Sequence, residues 1–312
     1  MVRLFHDVDC LEHRGPHGYP EVPERLSAVL DRLAEPAWRE RRSDRPAGLE
    51  EAVLAVHDER YVRRFERACE RGDGLLDSAD NPLSPGTWKA AWAAVGATVA
   101  ALDWVVAAPG RKAFAAVRPP GHHAERDRAM GFCFFGNVAV AAERAIRGHG
   151  LERVAIFDFD VHHGNGTQHL FEERGDVFYA SVHQFPFYPG TGARSEQGRA
   201  GGVGATLNVP MSAGCGDAAY DEAIEREILP ALARFRPQLL LLSAGFDAWQ
   251  GDPLGGMRVT EQGFFDWSRR LASLAAECCD GRVVSVLEGG YDVAALPDLA
   301  ASHVKGLSVV DV

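Results

Sequence analysis

From residue 113 onward, short apolar runs of strand length alternate with longer amphipathic stretches, and this alternation restricts the chain to crossover units feeding a parallel sheet. The runs are AFAAV (113–117), VAIF (154–157), VFYAS (177–181), QLLLLS (238–243) and VVSVL (283–287). Their near-continuous apolar character is that of strands covered on both faces. Between them the spacing predicts helices over 137–148, ending before Gly150, over 217–235 behind an Asp217 N-cap, and over 260–279 behind a Thr260 N-cap. Upstream, helices are expected over 23–34, 58–71 and 85–106, the last containing Gly96. No repeat or long low-complexity linker divides the chain, and 46% hydrophobic content over 312 residues is ample for one core, so 1–312 reads as a single domain.

Each run leads directly into a polar cluster: RPPGHH (118–123), DFDVHHGNG (158–166), VHQF (182–185), AGFDA (244–248) and EGGY (288–291). In an open α/β sheet the carboxyl ends of the strands form the crevice where ligands bind, so these clusters converge on one site. Asp160 and His162 are two apart, and an extended segment projects both from one face. Asp247 adds a third ligand from another strand end. Two carboxylates and an imidazole leave one tetrahedral position open for water, the arrangement of a catalytic zinc. Taken alone, Asp158 and Asp160 read more readily as caps and His162 as a satisfied loop histidine. Asp247, His122, His123 and Tyr291 at the same sheet edge weigh against that reading.

A net charge of -11 excludes a surface-wide attraction to nucleic acid or anionic lipid, since phosphate binding needs clustered Lys and Arg. A polycationic partner fits better. Cys10, Cys69, Cys133, Cys215, Cys278 and Cys279 lack CxxC spacing and read as buried thiols of a reducing compartment. The start MVRLFHDVDC has no basic n-region or apolar h-region, and no later run reads as a membrane span, so a cytoplasmic placement is expected. Oligomeric state, including homo-oligomer formation, stays open.

RPPGHHA, GFCFFGN, DFDVHHGNGTQ, SAGFDA and EGGYD resemble the motifs of the zinc-dependent histone deacetylase family, in its bacterial class II-like and acetylpolyamine amidohydrolase group. The similarity runs from PEVPERL (20–26) to EGGYD (288–292). It implies the arginase/deacetylase α/β fold: a single open, mostly parallel sheet of about eight strands flanked by helices. Arginases share that fold but bind two manganese ions, which requires further carboxylates. Gly164 and Trp249 stand where their motifs carry Asp, so one ion is expected.

The resemblance also assigns roles. Asp160, His162 and Asp247 hold zinc. His123 is general base and then general acid, and His122 is mainly an electrostatic stabiliser. Asp158 backs His122 and Asn165 backs His123; some relatives carry Asp at position 165, and the neutral amide leaves His123 less basic. Tyr291 hydrogen-bonds the developing oxyanion. A potassium ion is implied behind the zinc, on the Asp158 carboxylate, the Ser181 hydroxyl and the backbone carbonyls of Asp160, His162 and Val182. Gly131, Phe132 and Tyr188 line an aromatic substrate channel, with Asp80 at its rim and Tyr19 and Leu254 near its mouth. Glu288 is expected to be a structural hydrogen-bonder, and His163 and His183 to be packed. The implied reaction is hydrolysis of N-acyl amides, acetyl-lysine side chains first, to acetate and free amine. Acetylated polyamine hydrolysis is the alternative, and an inactive acyl-ligand binding module is a third reading.

Overall fold

The computed structural model describes residues 2–34, 39–42 and 46–309. Met1 and 310–312, the ends of the expected domain, lie outside these. The strands in chain order are β1 (Val2–His6), β2 (Arg39–Arg42), β3 (Leu75–Leu76), β4 (Ser78–Pro82), β5 (Lys112–Ala115), β6 (Val154–Asp158), β7 (Val177–Gln184), β8 (Thr206–Met211), β9 (Leu239–Ala244) and β10 (Val283–Leu287). Eight form one sheet in the order β2-β1-β5-β10-β9-β6-β7-β8, every adjacent pair parallel, while β3 and β4 form a separate antiparallel ribbon. The strand count and direction are those the resemblance implies.

The five apolar runs fall in β5, β6, β7, β9 and β10, whose residues are all buried. Three sheet strands carry no comparable signal. β1 is a five-residue VRLFH segment, β2 reads RERR, and β8 (TLNVPM) alternates and contains Pro210. The last two are the sheet edges, where charge or a missing amide donor is tolerated.

The helices are α1 (Pro23–Leu33), α2 (Leu49–Val56), α3 (Glu59–Arg71), α4 (Thr87–Val106), α5 (Asn137–Glu143), α6 (Asn165–Phe171), α7 (Asp217–Ala223), α8 (Leu229–Phe235), α9 (Glu261–Cys278) and α10 (Leu296–Ser308). Helix 137–148 is α5 followed by a π turn, Arg144–Gly148, and helix 217–235 is α7 and α8 joined through a π turn, Ile224–Ile228. The expected cap at Asp217 needs correction, while that at Thr260 holds in position. Gly216 occupies the N-cap of α7, and Thr260 sits at the N-cap of α9 without a side-chain cap bond. Asp217 instead accepts from Thr260 N at 2.8 Å and from Thr260 Oγ1 at 2.6 Å, tying the starts of α7 and α9 together.

A second correction concerns α4, which is long and apolar enough to cross a membrane by length and composition. Lys89 and Asp103 obscured this in the sequence. Most of its apolar side chains are buried, and it packs on β1, β5, β10 and α5. All six cysteines are free thiols, but only Cys10, Cys133 and Cys279 are buried as expected, while Cys69, Cys215 and Cys278 are half-buried.

Candidate metal centre

Strand order brings the chemistry together. β10 lies between β5 and β9, and β9 pairs with β6, so the loops after these four strands share one crevice. His122 and His123 follow β5, Asp160 and His162 follow β6, Asp247 follows β9 and Tyr291 follows β10. Asp160, His162 and Asp247 each offer a donor atom within 4.8 Å of the others, the one such cluster of three His, Cys, Asp or Glu among the described residues. His162 Nδ1 lies 3.1 Å from Asp160 Oδ1 and 3.1 Å from Asp247 Oδ2.

Backbone amides fix the carboxylates. Asp160 Oδ2 accepts from Gly289 N at 2.8 Å, Asp160 Oδ1 from His162 N at 2.9 Å, and Asp247 Oδ1 from Val161 N at 2.9 Å. The donors fit a divalent cation on their own chemistry. Two buried carboxylates face each other with one imidazole between them, and a single N–H cannot satisfy both. Burial and the nearby Asp160 push Asp247 up to about 7, a conflict that a divalent cation relieves. Gly289 is required by close approach: a Cβ there would stand 2.2 Å from Asp247 Oδ2 and 2.5 Å from Asp160 Oδ2. Gly164 is similar, since a Cβ would meet Asp158 Oδ2 at 2.2 Å, leaving no room for a second-site carboxylate.

The histidine pair is differentiated by its partners. His122 Nδ1 stands 3.1 Å from Asp158 Oδ2, and His123 Nδ1 stands 2.7 Å from Asn165 Oδ1. Burial opposes charge on both rings. At His122, Asp160 and Asp158 outweigh it and raise the imidazole to about 10; at His123, burial together with His122 and His162 holds it well below its usual value. Glu288 is fully buried and accepts from the amides of Gly121 at 2.6 Å and His122 at 3.1 Å, so it shapes the loop carrying the pair. Asp158 and Ser181 sit opposite each other on β6 and β7, beside buried Val182, and Ser181 Oγ is 2.8 Å from His183 Nδ1. His163 is packed between Thr191 and Gln168.

Tyr291 lies edge-on to Phe132 at 5.7 Å, with the Arg25 guanidinium 4.7 Å from its ring. Asp252 Oδ2 accepts its backbone amide at 2.6 Å. Burial, opposed by Arg25 and reinforced by Asp247 and Asp160, pushes the phenol well above its usual range, so the hydroxyl keeps its proton. Phe132 is edge-on to Tyr19 at 5.1 Å, and Tyr188 is edge-on to His123 at 5.2 Å.

Asp80 belongs to β4 and is no mere turn residue. Its Oδ2 accepts from Tyr188 Oη at 3.0 Å and from Gly131 N at 3.1 Å, and its carbonyl accepts from Tyr19 Oη at 3.2 Å. Leu254 is half-buried, two residues past Asp252, whose Oδ1 accepts its amide at 2.8 Å.

Several participants escaped the sequence. Phe187 stacks on His162 at 5.2 Å, and Arg25 donates to the carbonyls of Gly290 at 2.5 Å and Glu288 at 2.6 Å. Glu21 bridges Arg25 and Arg118 in a buried network. Glu125 contacts both Asn165 and His169. The four-residue spacing of Asn165 and His169, one helix face, was the available signal for that last group.

A three-donor cation site beside a paired histidine and a buried phenol is the equipment of a metal-dependent hydrolase. Residues 19–307 match the histone deacetylase domain. The chain is 41% identical to a histone deacetylase-like amidohydrolase of Pseudomonas aeruginosa, covering 98% of this chain and 86% of that protein. It is 39% identical to the human polyamine deacetylase HDAC10, over 92% of this chain and 44% of that one. The solved structure of an acetylpolyamine aminohydrolase from Burkholderia pseudomallei superposes with a TM-score of 0.89 at 31% identity, covering 99% of each chain. The chain belongs to the histone deacetylase family and is an amidohydrolase of linear C–N bonds.

Proposed function

We propose that this chain removes acetyl groups from acetyl-lysine side chains as a zinc-dependent enzyme. The observation carrying the reading is the convergence of Asp160, His162 and Asp247 with the differently backed His122 and His123. When bound by these three donors, zinc supplies Lewis acidity, polarising an amide carbonyl and making a water easier to deprotonate. His123 Nε2 takes the proton of the attacking water and later passes it to the departing amine nitrogen. His122, held by Asp158, stays charged and stabilises negative charge building at the carbonyl oxygen. The protonated hydroxyl of Tyr291 donates to that oxygen. Phe132 and Tyr188 flank the slender alkyl arm. We also assign potassium to Asp158, Ser181 and the carbonyls of Asp160, His162 and Val182, supported by the pairing of Asp158 with Ser181 across β6 and β7. Six free thiols support a reducing, cytoplasmic setting.

Leu254 favours acetyl-lysine, because it offers no charge to a cationic polyamine backbone. The second reading, acetylpolyamine hydrolysis, is favoured by the substrates named for the human and Burkholderia relatives. Acetate release from acetyl-lysine peptides, acetylputrescine and acetylspermidine separates the two. Peptides are expected to give the higher kcat/KM, and Tyr291→Phe is expected to lower kcat about 100- to 1,000-fold with KM nearly unchanged. Acetate release confined to the polyamines would replace the first reading with the second, and an undiminished Tyr291→Phe rate would remove the oxyanion role.

A further inference from the structure

One buried carboxylate beside the histidine pair has no part in this scheme. Glu125 stands two residues after His123, and its Oε1 accepts from Asn165 Nδ2 at 2.6 Å. His169 Nδ1 lies 2.9 Å from the same oxygen and 3.2 Å from Oε2. Asn165 presents its other end to the base, with Oδ1 2.7 Å from His123 Nδ1.

The two ends of an amide are nearly identical in shape and opposite in chemistry: the oxygen only accepts and the NH2 only donates. The end facing His123 therefore decides where a neutral imidazole carries its hydrogen. With the carbonyl facing it, Nδ1 bears the hydrogen and Nε2 keeps a lone pair. With the NH2 facing it, Nδ1 must accept, the hydrogen moves to Nε2, and that atom can no longer take a proton. The other contacts of Asn165 Nδ2 are weak, 3.4 Å to the His123 carbonyl and 3.5 Å to Met130 Sδ. A carboxylate can only accept, and its short charge-assisted bond turns the NH2 away from His123.

We propose that Glu125 is a positioning residue that selects the Nδ1–H tautomer of His123 by fixing the orientation of the Asn165 amide. The proposal rests on the reading of His123 as proton carrier. His169, one turn along α6 from Asn165, holds the Glu125 carboxylate in place. The same arrangement accounts for an amide at position 165. An aspartate there would bring two carboxylates into hydrogen-bond contact, and one would have to hold a proton.

The test compares the zinc-loaded wild type with Glu125→Leu, Glu125→Gln, Asn165→Asp and the Asn165→Asp/Glu125→Gln pair. Two properties are measured: kcat and KM on the amide that the wild type cleaves fastest, and the imidazole 15N shifts of labelled histidine. The His123 signals are assigned by their loss in His123→Asn. Glu125→Leu is expected to lower kcat about 10- to 100-fold with KM within about twofold, and to show hydrogen on Nε2 of His123. Glu125→Gln, whose carbonyl can accept the same bond, is expected to keep kcat within about threefold and the Nδ1–H tautomer. Asn165→Asp, whose carboxyl has no NH2 end to turn toward His123, is expected to keep the Nδ1–H tautomer, alone and combined with Glu125→Gln.

A wild-type tautomer in Glu125→Leu, or hydrogen on Nε2 of His123 in either Asn165→Asp variant, would overturn the proposal. Should Glu125→Leu not fold, Glu125→Met, which equally removes the acceptor, takes its place with the same expected and overturning outcomes. A wild type that releases no acetate tells against the hydrolase reading, and the 15N shifts still decide the role of Glu125.

Discussion

The rings of His122 and His123 lie 4.0 Å apart, yet one is backed by a carboxylate and the other by an amide. Facing carboxylates outweigh burial and keep His122 charged, while burial and the neighbouring His122 and His162 keep His123 neutral, the division of labour that acid–base catalysis requires. A different histidine is one of several buried rings that make the fold sensitive to acid. His57 is buried, its Nε2 accepts from Gly136 N at 2.9 Å, and its Nδ1 lies 2.9 Å from the Glu125 carbonyl, so the native ring is neutral. Burial pushes it down from 6.5 to about 4, only partly offset by backbone hydrogen bonds. Between these values the unfolded chain takes up a proton that the native ring resists. The contribution is therefore complete above pH 6.5 and is lost as pH falls toward 4, by about 1.4 kcal/mol per pH unit. The urea midpoint is expected to drop between pH 7 and 5, and His57→Gln to flatten that drop; an unchanged slope would refute the assignment.

Legibility at this scale followed chain distance. Asp160 and His162 were readable as a pair, although a bend at 160–162 in which Asp160 Oδ1 accepts from His162 N, and not an extended segment, sets their common direction. Glu125 was not, since its task depends on where α6 docks.

Among the elements, the central strands were legible because burial on both faces leaves only apolar residues. β2 and β8 were not, because edge positions tolerate charge and proline. The limits of the expected helices were readable to a residue or two, but α2, α6 and α10, the π turns and the link between Asp217 and Thr260 were not. A side chain that reaches a neighbouring helix looks identical in sequence to one that caps its own. The Asp217 link joins α7 to α9, and two bonds to a carboxylate merit a measurable loss. Asp217→Ala is expected to cost about 1.5–3 kcal/mol in urea denaturation, with kcat/KM intact. A loss below about 0.5 kcal/mol would show that the link is dispensable.

Across the whole molecule, the cation site joins loops that follow β6 and β9, with Gly289 after β10 closing on Asp160. Filling it should stabilise the native fold by mass action, since the unfolded chain holds no such cluster. Removing the cation with a chelator is expected to lower Tm by on the order of 5 °C and abolish acetate release, both restored by zinc. A protein shown metal-free that keeps its Tm would uncouple the site from stability.

The resemblance made sheet size and direction legible, but the order of the strands had to come from the structure. That order has a consequence for folding. β10 is the last described strand in chain order, and it lies between β5 and β9. Without it the remaining strands of the sheet fall into two groups, β2-β1-β5 and β9-β6-β7-β8, each with an unpaired backbone edge. Docking of that one strand closes both edges and sets the loop after it, with Gly289 and Tyr291, at the crevice.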